Sequence, residues 1–367
     1  FLYLTGIAAP GAIYIAIKRG SAGMEYLFIQ RGIPEREVWE GKMMTKEEAR
    51  EISGITNVLY LDEFSSNLAM FAPMMSTVYA NLGEQHLDRP LSYQMHSLLP
   101  LTQRFPQIKL RDISAVITPL RKVKDAWEVE QMQKAIDVTG QGIRDVWDNS
   151  YIGMNEFEIE AMIFYRIQRS GLTDWGFSPI IAAGINAATL HYGKNECEIL
   201  DGDLVLLDVG AEHLNYSADI TRCFPINGKF SPRQADVYNS VLSVNKAIIE
   251  MIRPGVKLSF LQQRSRELLA EEMIKLGLIT HPSEVVKYYM HGIGHFLGMD
   301  THDVGGREAT LEVGNIITVE PGIYIPDENL GVRIEDDILV TESGYKNLSI
   351  AIPKEISDIE AILKERK

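Results

Sequence analysis

Residues 204–209, LVLLDV, form a short apolar run bounded by Gly202 and Gly210. That is the pattern of a buried strand. Asp208 stands inside it, and Asp219 follows eleven residues later between Ala218 and Ile220. An ionised carboxylate removed from water costs several kcal/mol unless something compensates it. The segment 201–224 contains no lysine, and its only cation is Arg222, placed to pair with Asp219. Folding 203–224 into a hairpin with Asp208 opposite Asp219 centres the turn on His213–Leu214. The two carboxylates then become cross-strand neighbours. A shared metal ion is the simplest compensation, and it requires further ligands elsewhere.

Three later segments also place acidic residues or histidines in strand-like runs. KYYMHGIGHFLGMDTHD carries His291, His295 and His302. Glycines at 292 and 294 argue against a helix there, and in an extended chain His291 and His295 share a face. NIITVEPGIYI ends a β-branched run at Glu320, with a turn at Pro321-Gly322. GVRIEDDILVT, read as one strand, puts Arg333 and Glu335 on one face and Asp336 on the other, leaving Asp336 and Asp337 as solvated or structural residues. Asp208, Asp219, Glu320, Glu335 and His295 together give four carboxylates and one imidazole. Four negative charges balance two divalent cations. Two ions about 3.5–4 Å apart are an arrangement that activates water for hydrolysis. Oxygen donors with a single nitrogen suit Mn²⁺, with Co²⁺, Fe²⁺ or Zn²⁺ as alternatives.

Composition narrows the partners. A formal charge of −14 over 367 residues, with no basic cluster, argues against nucleic acid and anionic lipid. At 46% hydrophobic and 23% charged the chain is globular. Cys197 and Cys223 suggest no disulfide framework and fit a reducing cytoplasm. The apolar opening FLYLTGIAAPGAIYIAIK is interrupted by AAPGA. It reads as two strands around a Pro-Gly turn rather than a membrane span or a signal peptide.

The chain divides near residue 120. Residues 1–120 alternate short β-rich runs (12–17, 26–29, 58–60) with helix-like segments, as in a small α/β domain. Pro119 marks a break. Residues 121–367 carry helical patterns at 125–148, 155–170, 233–252 and 258–276, grouped with glycine-rich β segments. The grouping predicts an α+β fold.

LLDVGAEHLNYSADITRCFPINGKF, MHGIGHFLGMDTHDVG, TVEPGIYI and VRIEDD resemble the pita-bread metallopeptidases, in the aminopeptidase P and prolidase branch. The resemblance covers nearly the whole chain. It implies a creatinase-type α/β N-terminal domain over 1–120 and a pita-bread catalytic domain over 121–367. Carried over by position, Asp208 chelates one metal and Asp219 and Glu335 bridge two. His295 and Glu320 complete the ligands of the second metal, and Glu320 takes the proton of the attacking water. His191, in TLHYG, lies by the substrate near the metals. His291 and His302 contact substrate and stabilise the tetrahedral intermediate. Arg333 stands beside the site, and Tyr324 lies in the region of the proline pocket. His86, His96, His213 and His281 match nothing and read as surface or structural residues.

The activity implied is removal of an N-terminal residue that precedes proline, whose tertiary amide and fixed φ defeat general peptidases. The alternative within the class is prolidase, which cleaves only Xaa-Pro dipeptides. The short link between Glu320 and Glu335 favours the aminopeptidase. The family's common minimum is a homodimer. The fold also hosts metal-free relatives, creatinase and protein-binding domains, which have lost part of the five-ligand set.

Overall fold

The computed structural model describes residues 1–83, 88 and 90–366, and His86 lies outside them. The chain separates into two compact units, Phe1–Ile117 and Thr118–Lys367.

In the first unit β1 (Ile13–Arg19) and β2 (Ala22–Ile29) form an antiparallel hairpin, and β3 (Asn57–Tyr60) runs parallel to β2. Parallel neighbours need a crossover. Here it includes the helix Lys46–Ser53, opened by a reciprocal Thr45/Glu48 capping box. Leu27, Ile29, Ala49, Ile55 and Val58 close the core beneath it. A second parallel pair, β4 (Thr77–Ala80) and β5 (Lys109–Asp112), completes this unit's strands among the described residues. The opening segment departs from expectation. Leu2–Thr5 is a helical turn closed by Gly6 at φ 66°, so only one strand follows the Pro-Gly turn. Pro119 is no break either, since it lies within the helix Ser114–Lys122.

The second unit opens with the long helix Ala126–Asn149, capped by Asp125 and Glu128. Its buried residues Met132, Ala135, Ile136, Thr139, Ile143 and Val146 recur at the three- and four-residue spacing of one helix face. Thr139 also accepts a hydrogen bond from the Ala211 amide at 2.9 Å, tying the helix to the site hairpin. The helix Glu156–Arg169 follows. Later come Pro232–Ile249 and Leu258–Lys275.

The strands pair locally and antiparallel. β6 (Asp174–Trp175), β9 (Ala211–His213) and β10 (Tyr216–Ser217) make one sheet. β7 (Ile180–Ala183), β8 (Leu204–Val209) and β11 (Ile220–Pro225) make another, in the order β11-β8-β7. β12 (Ile316–Val319), β15 (Asp336–Thr341) and β16 (Gly344–Asn347) form a third, and β13 (Gly322–Ile325) pairs with β14 (Leu330–Arg333). One continuous hydrophobic core lies between these strands and the helices. Among the described residues no helix is long and apolar enough to cross a membrane.

Candidate functional site

The hairpin that carries the two aspartates is shifted by one residue from the expected turn. Tyr216 pairs with His213, and Leu214 and Asn215 occupy the turn with φ of 49° and 64°. Two consecutive positive φ values match the twist of a two-residue hairpin. Asp208 therefore faces Thr221 rather than Asp219. Side chains two apart on a strand share a face, so Asp208 and Asp219 remain diagonal neighbours. No Asn-Gly pair marks this turn, which is why the sequence leaves its centre a residue off.

GVRIEDDILVT is two strands, not one. β14 ends at Arg333, β15 begins at Asp336, and Glu335 sits in the break, its amide bonded to the Thr221 carbonyl at 3.1 Å. The break turns Glu335 toward Asp219. Glu320 follows the last residue of β12, and His295 is held beside that strand by its amide on Thr318 Oγ1 (3.1 Å) and by the Thr318 amide on its carbonyl (2.9 Å). Gly294 permits this approach, because a Cβ there would lie 2.0 Å from the Thr318 carbonyl oxygen.

Asp219, His295 and Glu335 each offer a ligand atom, and these atoms lie within 4.8 Å of one another. His295 Nε2 is 3.4 Å from Asp219 and 3.7 Å from Glu320. His295 Nδ1 faces the Phe296 carbonyl at 3.0 Å. A carbonyl only accepts, so Nδ1 carries a proton, and Nε2 is the nitrogen directed at the carboxylates and free to offer its lone pair to a cation. Asp208 Oδ2 takes a 2.5 Å ion pair from Arg333, while its buried Oδ1 has no partner among the described residues.

The charges are under-compensated. Burial, then the neighbouring Asp208, pushes the Asp219 carboxyl well above the usual carboxylate range. Burial and the surrounding carboxylates do the same to Glu335. Burial raises Glu320 to about 7, with His295 and Arg333 opposing and Asp219 and Asp208 reinforcing the shift. Four carboxylates converge where the described residues supply one guanidinium, Arg333, and among those residues an unpartnered carboxylate oxygen remains. That donor set, oxygens with one imidazole nitrogen, fits a divalent cation.

Arg333 carries more of the site than its sequence position suggests. It bonds Asp208, the Thr221 hydroxyl (3.2 Å) and the Tyr324 hydroxyl (2.9 Å). Burial alone would weaken its charge, but Tyr324, Asp208 and Glu335 raise its pKa well above the usual value. Tyr324 is fully buried, and its hydroxyl is also 2.7 Å from His291 Nε2. It therefore supports His291 and Arg333 from below instead of presenting open surface. His291 Nδ1 donates to the Gly292 carbonyl at 2.7 Å, so both ring nitrogens are engaged. Burial, with Arg333 and His191 nearby, lowers its pKa to about 3. His302 stacks edge-on to His295 with ring centroids 4.4 Å apart. Burial, His295 and His191 lower its pKa. His191 is exposed in the turn after Ala188 and acts electrostatically on both of those histidines.

Two expectations need correction. Arg222 pairs with Asp336 at 2.8 Å and not with Asp219. Of the two readings given for Asp336 and Asp337, solvated or structural, the first fails, since both are completely buried, and the structural one holds. Asp337 belongs to the site's support, accepting the Asp219 amide at 3.2 Å. Sequence reasoning also misses Thr221, which bonds Glu335 at 2.6 Å, and Gln262, which accepts the Ile293 amide at 2.5 Å. Thr221 is recoverable by alternation from Asp219. Gln262 lies on a helix remote in sequence, and no local signal marks it.

A family model described as metallopeptidase family M24 matches residues 130–342, and one described as the aminopeptidase P N-terminal domain matches residues 1–79. The Xaa-Pro aminopeptidase of Haemophilus influenzae is 32% identical, covering 99% of this chain and 87% of its own. Human Xaa-Pro aminopeptidase 3 is 34% identical over 100% of this chain and 76% of its own. Among solved structures, a Bacillus anthracis chain provisionally described as an aminopeptidase P superposes with a TM-score of 0.97 at 40% identity, covering 100% of this chain and 88% of that one. Proline aminopeptidase P II from Yersinia pestis gives 0.91 at 30% identity, covering 99% and 89%. The fold is thus α+β, a pita-bread domain preceded by the smaller N-terminal domain of that family. This chain belongs to metallopeptidase family M24, in its aminopeptidase P branch.

Proposed function

We propose that the protein is a metal-dependent Xaa-Pro aminopeptidase, releasing the N-terminal residue of peptides with proline in second position. The observation that carries this reading is the convergence of Asp208, Asp219, Glu320, Glu335 and His295 with Arg333 as their cation. Those five would hold two divalent ions, Mn²⁺ first, with Co²⁺, Fe²⁺ or Zn²⁺ as alternatives. When bound, such ions supply Lewis acidity that makes water a nucleophile at neutral pH.

The chain's own residues do the rest. Glu320, placed beside His295 at the site, takes a proton from the attacking water and returns it to the departing proline nitrogen. Among the described residues the His302 ring has no hydrogen-bond partner, so its N–H is available to the substrate carbonyl oxygen as charge develops there. His291, engaged by Tyr324 and Gly292, keeps the Arg333–Asp208 pair in place and meets substrate with its ring edge. His191, exposed in the turn after Ala188 and close enough to act on His291 and His302, contacts substrate. We assign residues 1–120 as the N-terminal domain and 121–367 as the catalytic domain. We further propose a homodimer located in the cytoplasm, the latter supported by two unpaired cysteines.

Comparing Xaa-Pro dipeptides with Xaa-Pro-Xaa tripeptides tests the reading. An aminopeptidase leaves the space beyond proline open, so tripeptides should show the higher kcat/KM and N-terminally blocked peptides should be refused. Cleavage of dipeptides alone would assign the chain to prolidase. No cleavage of either by metal-loaded protein would remove the peptidase reading.

A further inference from the structure

His302 has an exposed ring with no hydrogen-bond partner among the described residues, yet it stands 4.4 Å from the His295 ring. Its position is set by the backbone of the loop 298–303, and that loop is held from behind. Asp303, the next residue, turns inward until its carboxylate is 1% exposed. There it meets Lys124 Nζ at 2.9 Å and Arg121 Nη2 at 2.5 Å, with Lys124 equally buried. The Asp303 amide is fixed on the Phe296 carbonyl at 2.9 Å, and Thr301 Oγ1 on the Gly176 carbonyl at 2.9 Å. The carboxylate lies so close over the loop's first residue that a Cβ on Gly298 would be 2.1 Å from Asp303 Oδ2 and 2.8 Å from Lys124 Nζ.

A buried ion pair is a poor source of stability, because an apolar pair of the same size avoids the desolvation of both charges. What it supplies is direction: Asp303 can satisfy its charge in one place only. His302 immediately precedes Asp303 in this tightly bent loop, so anchoring the Asp303 carboxylate and amide fixes the backbone from which the His302 ring departs toward His295.

We propose that Asp303, clamped by Lys124 and Arg121, is a positioning residue that sets the His302 ring for transition-state contact. The proposal rests on the role given above to His302. Displacing a catalytic group by about 1 Å costs on the order of 10²-fold in rate. In the metal-loaded full-length protein acting on an Xaa-Pro-Xaa tripeptide, Asp303→Asn should therefore lower kcat by roughly 10–100-fold. KM should stay close to the wild-type value, and the metal content should be unchanged by elemental analysis.

A double-mutant cycle separates positioning from general structural support. Once His302 is replaced by alanine there is nothing left to position, so Asp303→Asn should cost no further kcat in that background. Losses that multiply, or loss of metal in Asp303→Asn, would overturn the proposal while leaving His302 as assigned. Wild-type kcat in His302→Ala would overturn the assigned role of His302, and the proposal with it. If Asp303→Asn does not fold, Arg121→Met keeps the buried Lys124–Asp303 pair and loosens one arm. The same cycle then applies, with a smaller kcat loss expected and full wild-type kcat counting against the clamp.

Discussion

Glu335 and Asp336 are consecutive, equally buried carboxylates with opposite electrostatics. Asp336 receives Arg222 at 2.8 Å, Lys354 at 2.5 Å and the Ser349 hydroxyl at 2.9 Å. Burial would raise its pKa, but Arg222 and Lys354 outweigh that and hold it below the usual range. Among the described residues Glu335 receives only the Thr221 hydroxyl, and it lies among Asp219, Glu320 and Asp208, so burial and repulsion raise it well above that range. Desolvation is common to both. The difference is who provides the counter-charge: the Asp336 cluster is complete within the protein, and the Glu335 cluster needs cations from outside.

Neutralising each member in turn is the sharpest way to break that comparison. Glu335→Gln should lose metal and reduce kcat/KM by about 10³-fold or more, the several kcal/mol that a Lewis acid contributes. The metal-free variant should be no less stable than metal-free wild type, because a repelling charge has gone. Asp336→Asn should do the reverse. It leaves Arg222 and Lys354 buried without their anion, which costs about 3–5 kcal/mol in chemical denaturation. Metal content and activity per folded molecule should be retained. Equal behaviour of the two variants would dissolve the distinction.

A smaller effect separates ligands from substrate contacts. His302→Ala should keep its metal and lower kcat by about 10²–10³, as for loss of one oxyanion donor. Metal loss in that variant would move His302 among the ligands.

The smallest effect is in pH. In metal-free protein Glu320 is raised to about 7, and Asp219 and Glu335 are raised as well. Groups bound to protons more tightly when folded stabilise the fold at low pH, and that contribution is lost as pH rises through their folded-state values. The Tm of chelated protein should therefore fall between pH 5 and pH 8, by roughly 2–4 °C for each kcal/mol lost. Metal-loaded protein should show no such fall. A chelated protein more stable at pH 8 than at pH 5 would mean the carboxylates are already compensated.

The same physics decides how much of the molecule is legible in its sequence. Charged residues inside apolar runs are costly, so Asp208, Asp219, Glu320 and Glu335 stand out from their neighbours in the chain alone. The four long helices of the second unit are legible from three- and four-residue periodicity. Pairing is not. The register of the aspartate hairpin depends on Leu214 and Asn215 adopting positive φ, a conformation that Leu rarely takes and that no motif announces. The break between Arg333 and Asp336 is hidden because VRIE alternates like a strand and the apolar run ILV follows within a few residues. The sequence therefore leaves Asp336 and Asp337 open between a solvated and a structural role, because the cations of Asp336, Arg222 and Lys354, come from distant segments. The charge count also changes: Arg333 pairs with Asp208, so the protein supplies part of the compensation that the sequence assigns wholly to metal.

Elemental analysis of purified active protein tests the central claim most directly. The account predicts two divalent ions per chain, lost together with peptidase activity on chelation and restored with it on adding metal back. Full Xaa-Pro peptidase activity in protein that contains no metal would contradict it.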